Sequence, residues 1–143
     1  MKIHFSSLTD KGATRDHNED YFLNSPKYGL FMIADGMGGF QSGDVASRLG
    51  LDSILEYLEN NTLGDGCFSE KTFQFAVDYS NHCIQLYKKK DPQIQKMGTT
   101  FIALALSESG ATTFNIGDSR IYRLRKGALT QMTKDHSAEK EVL

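Results

Sequence analysis

The stretch Phe31–Ser47, FMIADGMGGFQSGDVAS, changes character in its middle. An apolar run short enough for a buried strand ends in one aspartate, Asp35. Three glycines, Gly36, Gly38 and Gly39, follow within four residues. Ser42 then stands where it can cap a helix beginning near Gly43 or Asp44, and Asp44 suits the positive end of the helix dipole. A strand that only fills a core needs neither the carboxylate nor the bare backbone. Glycine costs conformational entropy, so the cluster implies a turn with a positive φ at one of the three positions at least.

Working outward, IHFSSLTDKG reads as a strand ending at Gly12, and DYFLN as a short strand stopped by SPKYG. Downstream, Val45, Leu49, Leu51, Ile54, Leu55 and Leu58 make a helical stripe ended by NNTLGDG. Ser69 caps a second helix whose stripe is Phe73, Ala76, Val77, Cys83, Ile84 and Tyr87, with Pro92 marking its end. GTTFIALALS reads as a strand covered on both faces, with Phe101, Ala103 and Ala105 opposite Ile102, Leu104 and Leu106. Short turns join it to TTFNIGD, RIYRLR and ALTQM, an antiparallel meander. TKDHSAEKEVL reads as the start of a further helix. Strands, two helices, then strands define an α+β fold with helices on an antiparallel sheet, since strict βα alternation is absent.

The chain has 143 residues, is 39% hydrophobic and 24% charged, and carries a formal net charge of -2. These values suit one domain with a real core and offer no electrostatic case for nucleic acid or an anionic membrane surface. No apolar run approaches a membrane span, and the N-terminus lacks a secretory core. Cys67 and Cys83 lack a metal-like spacing and read as free thiols in a reducing, cytoplasmic compartment.

Phosphate-cradling loops fail at the glycine cluster. A dinucleotide fingerprint fits Gly36 and Gly38 but breaks at Gln41. A P-loop fits Gly38 and Gly43, but Asp44 stands where lysine is required. GDS at Gly117–Ser119 has no local histidine to make a hydrolase motif. A cation suits the turn better. Asp35 offers carboxylate oxygens at a strand end, and Gly36 lets a backbone carbonyl approach closely. RDHNED adds Glu19 and Asp20, which point to opposite faces if the strand is regular. NIGDSR adds Asp118, again beside glycine at a strand end. Taken singly, each of these acids also fits a plain turn residue.

TDKGATRDHNED, ADGMGG, GTT, NIGDSR and TKDHS, in this order, resemble the metal-dependent type 2C (PPM) protein phosphatases. The resemblance implies an α-β-β-α arrangement, an antiparallel β-sandwich flanked by helices. It also implies hydrolysis of phosphoserine and phosphothreonine in proteins by a hydroxide bridging two Mn²⁺ or Mg²⁺ ions, with a third, weaker metal. By the same resemblance, Asp35 bridges the two ions, and Glu19 and the Gly36 carbonyl serve the second. Asp20 orients metal-bound water, Asp118 serves the third metal, and Arg15 grips the phosphate. The residues alone would make Arg15 a surface ion pair with Asp10 or Asp16. Methionine inside DGMGG resembles bacterial members. Animal members have histidine where Met37 stands, so the general acid falls to solvent or His17.

The implied partners are phosphorylated proteins of a serine/threonine kinase, with no nucleic acid and no membrane, and the protein when complete is expected to be a monomer. The family continues into two later metal-binding aspartates, in DG and DN motifs. After Asp118 only Asp135 follows, and it matches neither. Residues 1–143 are therefore expected to be the N-terminal part of a single phosphatase domain, incomplete at the C-terminal end. Sheet edges should be uncovered and activity low or absent. The alternative is a non-catalytic module of phosphatase type that binds a metal or a protein.

Overall fold

A computed structural model describes residues 2–38, 42–61, 68–94 and 96–136. Two helices, α1 (Ser42–Asn61) and α2 (Glu70–Lys90), separate the strands β1 (Asp20–Ser25) and β2 (Leu30–Gly38) from β3 (Met97–Thr99), β4 (Phe101–Ser107), β5 (Gly110–Ile116), β6 (Tyr122–Arg125) and β7 (Ala128–Gln131). The main sheet runs β1-β2-β4-β5, and β3 continues it beside the far end of β2. All of its pairings are antiparallel. β6 and β7 form a separate ribbon whose turn holds Lys126 at φ 50 and Gly127 at φ 78, the left-handed pair that a tight hairpin favours.

Strand alternation sorts the sheet into two faces. Leu30, Met32 and Ala34 of β2 and Phe101 and Ala103 of β4 are buried in the core shared with both helices. Phe73 of α2 sits at its centre, 2% exposed. Its ring stacks on Phe114 of β5 at 3.8 Å and lies 6.3 Å from Phe101. The opposite face carries Phe31, Ile33, Ile102 and Leu104 around a cavity also lined by Phe5 and Ile121. The ribbon therefore starts on the side away from the helices, where Asn115 also donates to the Lys134 carbonyl at 2.7 Å.

Helix α2 is capped as expected, with the Ser69 hydroxyl accepting from the Thr72 amide at 3.1 Å. Its Tyr87 is exposed rather than part of the stripe. On α1 the buried surface is richer in small residues than the apolar stripe suggests: Ala46, Ser47, Gly50 and Ser53 are buried, while Val45 and Leu49 are half-exposed. Small residues let the helix lie close on the strands. A Cβ on Gly50 would come within 3.1 Å of the Thr99 methyl.

Four expectations are corrected. The meander stops at β5, because β6 and β7 pair with each other and not with the main sheet. The segment from Ile3 to Gly12 forms no strand among the described residues, and is held instead by side chains: Phe5 packs on Phe31 at 5.2 Å and Ser7 accepts from Asn24 at 2.7 Å. GTTFIALALS is two strands broken at Thr100, whose hydrogen bonds turn toward Asp35. The glycine cluster is not a turn at its start, because β2 runs on through Gly36, Met37 and Gly38, which pair with Thr99, Gly98 and Met97. Neither Gly36 nor Gly38 has a positive φ, and Gly39 lies outside the described residues. The final helix expected in TKDHSAEKEVL lies largely outside them too; residues 132–136 are not helical.

The ribbon is exposed throughout, with Leu124 and Leu129 paired and 70% and 67% exposed. Paired exposed leucines on a two-stranded ribbon favour self-association. Replacing both by threonine, which keeps strand propensity, is expected to reduce concentration-dependent sedimentation of the 143-residue polypeptide. An unchanged profile would move the source of association elsewhere.

Candidate active site

Asp35 stands within β2, where the strand passes from β1 to β3, directly opposite Asp20 at the start of β1. Alternation puts both on the face away from the helices. Glu19 precedes β1 and turns the other way, so that a Cβ added to Gly43 at the start of α1 would overlap its carboxylate. The backbone there is tightly tied. The Glu19 carbonyl accepts from the Gly36 amide at 3.1 Å and from the Ser47 hydroxyl at 2.6 Å. One peptide group thus joins β1, β2 and α1.

The glycines are explained by close approach. A side chain on Gly36 would collide with the Gly43 carbonyl and come within 2.8 Å of the Glu19 carbonyl. Both obstacles are backbone and cannot swing aside. Gly38 meets the Ser42 hydroxyl at 2.8 Å and the Gly43 amide at 3.0 Å in the same way. Gly36→Ala is therefore expected to destabilise the fold by about 1–3 kcal/mol through overpacking. A melting temperature equal to wild type would contradict the packing of α1 on β2.

Asp35 is held from the other side by Thr99 and Thr100. The Thr100 amide donates to the Asp35 carbonyl at 2.8 Å, and the Thr99 hydroxyl donates to the same oxygen at 3.0 Å. The Asp35 amide donates to the Thr100 hydroxyl at 3.0 Å. That hydroxyl is 2.7 Å from the hydroxyl of Ser119, the neighbour of Asp118. Partial burial pushes the Asp35 carboxyl above its ordinary value, and the charges of Asp20 and Asp118 and a hydrogen bond with Asp20 push it the same way; Arg15 pulls it back. Asp35 remains exposed as a residue, so solvent screens these effects.

Arg15 pairs with Glu19 at 3.7 Å, rather than with Asp10 or Asp16. Asp10 instead accepts from the Gly12 amide at 2.8 Å. The Arg15 side chain is 74% exposed, so the pair is weak and exchangeable. Met37 lies on the Asp35 face and is 63% exposed.

The donor chemistry suits a hard cation: facing carboxylates at Asp35 and Asp20, with the proton affinity of Asp35 raised by partial burial and then by acidic neighbours. Among the described residues no three His, Cys, Asp or Glu side chains close on one point. This donor set fits an ion that keeps much of its water and takes one or two carboxylates, as Mg²⁺ does. Sequence reasoning missed Ser47, Thr99, Thr100 and Ser119 as positioning groups. Thr99, Thr100 and Ser119 lie in GTT and GDS, but hydroxyls beside strand ends carry no distinctive signal.

Fold and site together define an antiparallel α+β domain with a pair of facing aspartates, Asp20 and Asp35, on adjacent strands. The family model for protein phosphatase 2C matches residues 11–141, and the chain belongs to that family. Over 145 residues it is 35% identical to the serine/threonine phosphatase stp of Listeria innocua serovar 6a, covering 99% of this chain and 58% of that protein. The serine/threonine protein phosphatase PstP of Mycobacterium tuberculosis is 35% identical over 135 residues, 94% of this chain and 25% of that one. The crystal structure of the Mycobacterium tuberculosis phosphatase PstP/Ppp superposes with a TM-score of 0.79 at 33% identity, covering 93% of this chain and 55% of that one. The PstP catalytic domain in complex with two manganese ions gives 0.78 at 34% identity, covering 93% and 56%. Among the described residues no helix is long and apolar enough to cross a membrane.

Proposed function

We propose that this chain supplies part of the active site of a metal-dependent protein serine/threonine phosphatase. Its substrates are cytoplasmic phosphoproteins made by a serine/threonine kinase. The observation that carries the reading is the pair of carboxylates facing each other across the strands, Asp20 opposite Asp35, with Glu19 beside them in an ion pair with Arg15. Two Mn²⁺ or Mg²⁺ ions, with a third more weakly held, are the cofactors; Asp35, Glu19, the Gly36 carbonyl and Asp118 are the residues proposed to hold them. Such ions acidify water and neutralise charge on the phosphoryl group.

The chain's own residues have distinct roles. Asp35, fixed at both its amide and carbonyl, presents its carboxylate at a constant place. Asp20 lies across the strand pair from it and orients the attacking water. Arg15 releases Glu19 and grips the phosphate with its guanidinium fork.

The test is Mn²⁺-dependent phosphate release from a phosphothreonine peptide, with and without chelator. Release that ignores the chelator would sink the reading. Arg15→Lys is expected to raise KM about 10–100-fold, the loss of a charge-assisted fork. An unchanged KM would return Arg15 to a surface ion pair. The absence of a three-carboxylate cluster among the described residues favours a second reading, a non-catalytic module of phosphatase type. Its mark is Mn²⁺ binding without turnover.

A further inference from the structure

We propose that Thr100 and Ser119 are positioning residues, a hydroxyl link that holds the Asp118 loop against Asp35. Thr100 is 8% exposed. Its amide and hydroxyl clamp the carbonyl and amide of Asp35. That hydroxyl oxygen accepts from the Asp35 amide and shares a further hydrogen bond with the Ser119 hydroxyl, 2.7 Å away. The loop is also seated sterically on the same residue. Gly117 has φ +96, and a Cβ there would lie 2.8 Å from the Thr100 methyl. The Gly117 carbonyl is tied in turn by the His136 amide at 2.9 Å. One threonine therefore touches the backbone of Asp35 on one side and both neighbours of Asp118 on the other. The spacing between those two carboxylates passes through it.

The role of the link in metal binding rests on the proposed function; its existence does not. Two measurements on the 143-residue chain separate them. In metal-free protein, amide resonances report the link directly. Ser119→Ala is expected to shift the Asp35 amide, and Thr100→Val to shift the Asp118 amide and speed hydrogen exchange at Asp35. Thr100→Ser, which keeps the hydroxyl, restores both. Shifts confined to each mutated residue's own segment overturn the link. So does a Thr100→Ser variant as perturbed as Thr100→Val, which would make the methyl packing the cause.

With Mn²⁺ added, each single loss of the hydroxyl bond is expected to weaken binding about threefold to tenfold, the worth of one neutral hydrogen bond. The double variant should be no weaker than the worse single one, because both break the same bond. Additive losses overturn the link as the cause. Wild-type protein that binds no Mn²⁺ overturns the metal reading and the positioning role together, while the metal-free resonances still decide whether the link exists.

Discussion

Asp35→Asn is expected to change the protein in opposite directions with and without metal. In phosphopeptide hydrolysis by the complete phosphatase domain it should reduce Mn²⁺-dependent turnover about 100-fold or more, the scale of losing one preorganised electrostatic contact. In the metal-free protein it should be mildly stabilising at neutral pH. Partial burial, then Asp20 and Asp118, raise the Asp35 carboxyl above its ordinary value. The folded state thus holds that proton more tightly than the unfolded state. The associated stability is fully present below the ordinary aspartate value of 3.8, and is lost as pH rises through the raised folded value.

At neutral pH the ionised carboxylate therefore opposes folding, and asparagine removes the opposition. Discounted for solvent screening, the gain is below about 1 kcal/mol, or at most about 4 °C in the melting temperature. It should vanish in melts at pH 3. With Mn²⁺ at 100 times its dissociation constant, wild type gains about 2.7 kcal/mol that the variant lacks, so the order reverses. A variant that is less stable than wild type in the absence of metal, and equally stabilised by Mn²⁺, would make Asp35 an ordinary strand residue.

Phe73→Ala is expected to be the most damaging core substitution. The ring is buried between Phe114, Phe101 and Phe68, with centroids 3.8, 6.3 and 5.5 Å away. Its removal takes away burial and opens a cavity where α2 meets β4 and β5. The cost is about 3–5 kcal/mol, against about 5–15 kcal/mol for a whole domain. Urea unfolding followed by circular dichroism measures it. Phe73→Leu keeps much of the volume and should lose less. A loss below about 1 kcal/mol for the alanine variant would place the centre of the core elsewhere.

Both helices were legible in the sequence, because capping and a 3.6-residue apolar period are local properties. Ser69 and Pro92 bracket α2 within a residue or two. The strands β1, β2, β4 and β5 were legible because alternation and turn residues are local too, as was the antiparallel pairing of β4 with β5 across its short turn, but the expected meander stops at β5. The acidic residues were legible as candidates, since aspartate beside glycine at a strand end is visible in one dimension.

Other features needed the tertiary structure. The glycines after Asp35 suggested a turn, but Gly36 and Gly38 are strand residues whose missing side chains make room for the start of α1. Conformational freedom and lack of volume are both properties of glycine, and a sequence does not say which one is used. The stripe on α1 predicted large apolar contacts, whereas Gly50 and Ser53 decide how near the helix lies to the sheet. Thr100 carries no signal of its own, yet 65 residues separate it from the Asp35 amide that it accepts. Periodicity, caps and turn chemistry act over a few residues, so the chain alone determined its helices, most of its strands and its candidate acids. Close approach and hydrogen bonding between distant segments determined which of them meet.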